Sequence, residues 1–375
     1  MAHAYTPGLQ VKARTRYRAR RLLPIAGEVL VQQGDRIQAE QVIARTQQPG
    51  SVTPLNLSNI LGTPPSEVPR CLLKKGGEFV EVGEPLARTN GIFGFFKTTY
   101  QATVAGVIES VSNVTGQLIL RGDPVPVEVK AFATGTVAEV IPDEGCIVEA
   151  TATFIQGIFG IGGEQYGEIK VVVDRPDQDL TAASLSPECK GKVVVGGRRI
   201  HRDAVTRAIE AGAVALIAGG IDDEDLKQIL GYDLGVAITG TETLGLTLII
   251  TEGFGDIAMA DHTFHLFQTR QGAAAAVNGA TQIRAGVLRP EIVIPWLDDA
   301  PVAETASRVG GGVLEIGTPV RLIRDPYFGI LGEVAALPSE PQVLGSGSKA
   351  RVLEVNTQQG ERVTVPRANV EIVSE

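Results

Sequence analysis

The chain predicts a mixed β and α/β protein in three parts, and three observations lead there. The first half carries gapless internal repeats, a central stretch from about residue 190 alternates strand and helix patterns, and a short strand-rich tail follows residue 317. At 375 residues, with 43% apolar but only 5% aromatic content, two or three β-rich globular domains are expected.

Residues 1–21 read as a basic arm. Lys12, Arg14, Arg16, Arg18 and Arg20 occupy every second position, and no acidic residue lies among the first 21. In an extended strand that period places all five charges on one face, ready for RNA, an anionic surface or an acidic patch. The plainer reading is a solvated edge whose charges discourage aggregation.

Residues 22–174 form the repeat region. Gly34-Asp35-Arg36-Ile37 through Gln41-Val42-Ile43-Ala44-Arg45-Thr46 aligns without a gap on Gly77-Glu78-Phe79-Val80 through Glu84-Pro85-Leu86-Ala87-Arg88-Thr89. Gly106-Val107-Ile108-Glu109-Ser110-Val111 likewise echoes Gly135-Thr136-Val137-Ala138-Glu139-Val140, with Gly116 and Gly145 at matching offsets. Glycine makes the turn, an acidic side chain sits beside it, and a short strand returns to the sheet. This arrangement resembles biotinyl and lipoyl domains and related barrel-sandwich hybrids. Such domains often hold a modified lysine, but Lys97 lies too close to Gly106 for that register and lacks the usual neighbours, so no cofactor is expected. Phe93, Phe95 and Phe96 beside it read as core or as a partner-facing patch.

A boundary is expected at 174–187, then an α/β domain over 188–297. Strands are predicted at Lys192–Val195, Val214–Ile217, Val236–Thr239 and Leu246–Ile250, with helices at Arg202–Ala211, from Asp222 to Leu230, and from Met259 to Thr269. Carboxyl ends of parallel strands share one crevice, where ligands bind in open α/β sheets. The candidate ligand residues there are Gly196, Gly197, Arg198, Arg199, His201, Gly219, Gly220, Asp222, Thr239, Glu242, Thr251, Glu252 and Gly253. Gly196 and Gly197 would open a helix and present N–H groups to an anion; alternatively the glycines simply make tight turns. No dinucleotide fingerprint, P-loop or nucleophile elbow is present. His262 and His265 share a helix face without a third ligand, so no metal site is expected.

Residues 298–316 read as a linker, and 317–375 as a small β-barrel. Gly317-Thr318-Pro319-Val320-Arg321, then Asp325-Pro326-Tyr327-Phe328-Gly329-Ile330-Leu331-Gly332-Glu333-Val334, resembles the KOW module of the transcription elongation factor NusG and of several ribosomal proteins. That resemblance implies an SH3-like barrel whose loops dock on macromolecules, with Arg321, Pro326, Tyr327, Phe328 and Gly329 as docking residues. The insert from Leu337 to Lys349 departs from a compact KOW loop.

A formal charge of −9 makes the whole chain a poor generic binder of nucleic acid, and no run of eighteen apolar residues offers a membrane span. Cys71, Cys146 and Cys189 have neither metal spacing nor an even count, and no signal peptide is apparent, so a cytoplasmic chain is expected. The expected function is a non-enzymatic adaptor that contacts RNA polymerase or a ribosome component by protein contact, with weak nucleic-acid binding and no membrane insertion. Two alternatives stand: a binding protein or enzyme for an anionic metabolite or nucleotide at the strand ends, and a self-assembling structural protein.

Overall fold

The computed structural model describes residues 9–90, 97–232, 244–281, 288–298, 314–322, 327, 330–343, 349–357 and 360–372. It is strand-rich with few helices, as composition predicts. The N-terminal half opens with β1 (Val11–Leu22), β2 (Glu28–Val29), β3 (Arg36–Ile37) and β4 (Val42–Gln48). A second motif then intervenes: β5 (Val52–Asn56), α1 (Leu57–Leu61), α2 (Val68–Cys71), β6 (Phe79–Val80), β7 (Pro85–Arg88), β8 (Thr99–Gln101), β9 (Gly106–Val111) and β10 (Gln117–Arg121). The first motif resumes with β11 (Val125–Lys130), β12 (Gly135–Ile141) and β13 (Gly145–Gln156).

The repeats therefore fold as one motif nested inside another. In the outer copy β4 pairs β11, β3 pairs β12 and β13 pairs β1; in the inner copy β7 pairs β8, β6 pairs β9 and β10 pairs β5. Irregularities repeat too, since Val42↔Lys130 and Ala44↔Val129 in one copy match Pro85↔Gln101 and Ala87↔Tyr100 in the other. The cause is local chemistry: Gly34 and Gly77 turn at φ +91° and +87°, and Asp35 and Glu78 accept the N–H of Gln32 and Lys75 at 2.8 and 2.9 Å. Gln41 and Glu84 do the same for the N–H of Gln38 and Glu81, at 3.3 and 3.0 Å. One sequence match shifts: Gly145 pairs Ile141, whereas Gln117 faces Ser112, so the inner hairpin loop is one residue longer and Gly116 belongs to its turn.

Each copy has its own core. Leu55, Leu57, Val80, Leu86, Ile108 and Leu118 fill the inner one; Leu23, Ile37, Ile43, Val137 and Val148 fill the outer. A narrow neck joins them, where Gly122 N–H donates to Ser51 O at 2.9 Å. A Cβ on Gly50 would lie 2.1 Å from Gly122 O, so only glycine lets the two backbones pass.

The chain continues with β14 (Phe159–Ile161), β15 (Glu164–Val171), β16 (Lys192–Val195), β17 (Arg199–Ile200), α3 (Arg202–Ala211), β18 (Ala215–Ile221), α4 (Asp223–Leu230), β19 (Thr247–Phe254), α5 (Asp261–Thr269), β20 (Ala274–Asn278) and β21 (Glu291–Pro295). Their sheet runs β14-β19-β18-β16-β15-β20-β21-β13-β12-β3, parallel from β19 to β15 and antiparallel elsewhere. The stretch 174–187 connects β15 to β16, which pair in parallel within this sheet, and β13 carries the sheet into the outer copy by pairing β12 at one end and β21 at the other. Helices α3 and α4 cover one face through Ala204, Val205, Ala208 and Leu226; α5 covers the other through Phe264 and Phe267. The strand expected at Val236–Thr239 lies outside the described residues.

In the tail, β22 (Pro319–Leu322), β23 (Leu331–Ala336), β24 (Gln342–Val343), β25 (Lys349–Ala350), β26 (Val352–Thr357), β27 (Arg362–Pro366) and β28 (Val370–Ile372) follow in turn. Five of them order as β27-β26-β23-β22-β28, so the last strand returns to the first after a 3₁₀ turn at Arg367–Asn369. Val320, Val334, Leu353, Val355, Val363 and Val365 form their core, and β24 with β25 makes a side ribbon from the predicted insert.

Candidate functional site

At the carboxyl ends of β16, β18 and β19 the expected turns and crevice give way to close packing. Gly219 and Gly220 lie within β18, and Thr251, Glu252 and Gly253 within β19. Gly196 and Gly197 lead into β17 and not into a helix; α3 begins at Arg202. A Cβ on Gly197 would meet Arg175 O at 2.5 Å, and one on Gly219 would meet Ile257 O at 2.3 Å. The chain's own loops therefore occupy the ground these glycines were expected to open. Backbone donors are spent as well, since Gly196 N–H binds Ile217 O, and Arg198 N–H binds Gln178 O, each at 2.8 Å. Thr239 and Glu242 lie outside the described residues.

The charged candidates are brought together but paired. Arg198 grips Asp179 through two bonds of 2.8 and 3.0 Å, and His201 Nε2 lies 3.2 Å from the same carboxylate. Asp179 is consequently held down at about 2, chiefly by Arg198, against the opposing effect of burial. Arg199 bridges Asp225 at 2.8 Å and Asp256 at 3.1 Å. Asp222 caps α4, accepting Glu224 N–H at 2.9 Å, and buried Thr251 donates to Ala218 O at 3.4 Å.

Glu252 is different, because its partner comes from β22 of the C-terminal five-stranded sheet. Arg321 Nη2 meets Glu252 Oε2 at 2.9 Å, with side chains only 7% and 6% exposed. Oε1 accepts Ala260 N–H at 3.0 Å, which ties the carboxylate to the start of α5. Alternation in β22 predicts an outward Arg321 free to dock; instead it is buried against the central sheet. Tyr327 is half-buried against the core of the C-terminal sheet. Pro326, Phe328 and Gly329 lie outside the described residues.

The basic stripe is not an arm but strand β1, hydrogen-bonded to β13 along its length. An irregularity between Lys12 and Thr15 breaks the two-residue period. Lys12 pairs Phe154 and so shares the face of Tyr17, opposite to Arg16, Arg18 and Arg20, because directly paired residues lie on one face. Arg14 meets Asp298 at 2.6 Å and stacks 4.9 Å above Trp296; Arg16 and Arg18 flank Glu149 at 3.6 and 3.5 Å.

Sequence reasoning missed Arg21, which falls off the every-second register. It binds Glu164 by two bonds of 2.7 and 2.8 Å, donates Nε to Lys130 O at 2.8 Å, and lies 5.4 Å over Phe132. Phe132 holds φ +69°, an uncommon conformation for a bulky residue, and is buried beneath this contact. Arg20, Arg21, Lys130, Glu164 and Tyr166 line an open cleft of about 550 Å³. Lys130 Nζ sits 5.3 Å over Tyr166, whose phenol burial pushes up in pKa, as it does that of Tyr17, bonded at 3.2 Å to Glu291. Burial likewise raises Glu291.

His262 and His265 are both exposed on α5, and no cluster of three or more metal-ligating side chains occurs among the described residues. No described helix is long and apolar enough to cross a membrane. Compared with protein-family models and with curated proteins, the chain matches none.

Proposed function

We propose that this chain is a cytoplasmic, non-enzymatic adaptor whose C-terminal barrel docks on the transcription or translation apparatus. The observation that carries the reading is the barrel's strand order, with a final strand returning to the first after a 3₁₀ turn. That order supports the resemblance of the tail to an SH3-like, KOW-type module. The nested copies support it as separately cored β modules that resemble the barrel-sandwich type. The tail is close to charge-neutral, which favours protein contact over phosphate contact. Full-length bait in nuclease-treated lysate should recover polymerase or ribosomal proteins, and a chain lacking 314–375 should not. Equal recovery by both chains would remove the barrel from the docking surface.

A second reading, small-anion binding, moves from the packed strand ends to the cleft at Arg20, Lys130 and Tyr166. A thermal-shift screen of phosphates and carboxylates tests it, since a ligand at 100 Kd stabilises by about 2.7 kcal/mol. Hits abolished in an Arg20→Ala, Lys130→Ala double variant would support the cleft; a flat screen would retire it.

A further inference from the structure

We infer that Glu252 is a guanidinium-binding site at the carboxyl end of the central sheet, and that Arg321 of the barrel occupies it in cis. The barrel is then a displaceable cap whose resident arginine yields to an arginine side chain or a small guanidinium from outside.

Three observations converge on this. The carboxylate is positioned by its own unit: Glu252 belongs to β19, its backbone neighbour Gly253 pairs Gly220, and Oε1 is held by Ala260 N–H at 3.0 Å. Its placement therefore does not depend on the barrel. The site also demands a cation, because Glu252 is 5% exposed and a buried carboxylate without a partner is strongly disfavoured. Finally, the cation arrives from another unit, on β22, separated in sequence by 299–313 with its Gly310-Gly311-Gly312 run. A buried ion pair contributes little net stability, since desolvation offsets the attraction, yet it discriminates sharply against any occupant lacking the charge. Exchanging one guanidinium for another at Glu252 keeps the carboxylate paired, whereas a neutral competitor would strand it.

The adaptor reading is independent of this site, and the two fail separately. Full-length Arg321→Met keeps the alkyl stem and removes the charge. Methylguanidinium in the millimolar range should raise its Tm in a saturable way and slow hydrogen exchange at 255–260. The Glu252→Gln, Arg321→Met double variant should show neither response. No saturable rise in Arg321→Met, or an equal rise in the double variant, would overturn the inference. Should Arg321→Met fail to fold, wild type serves instead: excess methylguanidinium should speed proteolysis within 299–313 at least several-fold relative to equal tetramethylammonium. Identical cleavage rates would refute displacement. An arginine-bearing peptide run in parallel separates sources: response to the peptide alone assigns the site to a macromolecular arginine, response to both to a free guanidinium compound as well.

Discussion

The outer and inner copies share turns, pairings and irregularities, yet they are embedded in opposite ways. In the outer copy β13 runs on into the central sheet and β1 follows it, so that copy is fused to the largest sheet among the described residues. In the inner copy β10 and β5 stop at the neck, and its core closes on itself. The same motif thus serves once as a foundation and once as an appendage. What differs is strand length, not turn chemistry.

Truncating equivalent core residues gives the strongest test. Ile43 and Leu86 are both fully buried, and replacing either by Ala should cost about 2–5 kcal/mol. Calorimetry should show Ile43→Ala lowering the transition of the central sheet, and Leu86→Ala lowering a separate inner transition alone. A common shift of one transition in both variants would break the contrast and make the neck a cooperative joint.

Glycine contacts probe the same contrast with a smaller effect. A Cβ on Gly135 would lie 2.2 Å from Glu149 O, and one on Gly106 2.6 Å from Arg121 O. Alanine at either should cost about 1–3 kcal/mol by overpacking. Urea melts followed by Trp296 fluorescence should report Gly135→Ala and stay silent to Gly106→Ala, since Trp296 sits beside β13.

Acid sensitivity should differ least. Glu84 and Glu109 are held below the ordinary carboxylate range, Glu84 first by Lys74 and Glu109 first by Arg121, whereas their outer counterparts are Gln41 and Ala138. A depressed folded pKa contributes stability that is present above the unfolded value of 4.5 and lost as pH falls through the folded one. Below about pH 4.5 the inner transition should therefore move down faster than the outer. Glu84→Gln should narrow that gap; an unchanged gap would assign the acid response elsewhere.

Much of this was legible in residues. Glycine followed by an acid announced both turns, and α3 and α4 ended at Gly212 and Gly231 as their sequence implied, because these signals are local. Nesting was not legible, since the partner of β3 lies on the far side of the whole inner copy. The strand-end glycines were ambiguous in principle: a missing Cβ serves a turn or a close backbone approach equally well, and only the loops packed on Gly197 and Gly219 decide it. Arg321 misled for the same reason, as alternation within β22 says nothing of a carboxylate from another unit.

The neck at Gly50 and Gly122 carries a consequence for how such a chain grows. A motif that enters and leaves through adjacent strands can be added to a hairpin without disturbing its host. The inner copy bears the counterpart of that hairpin, β7 with β8, closed between Thr89 N–H and Thr98 O at 2.9 Å. The architecture is recursive in its pairing: the hairpin that holds one guest is reproduced in the guest.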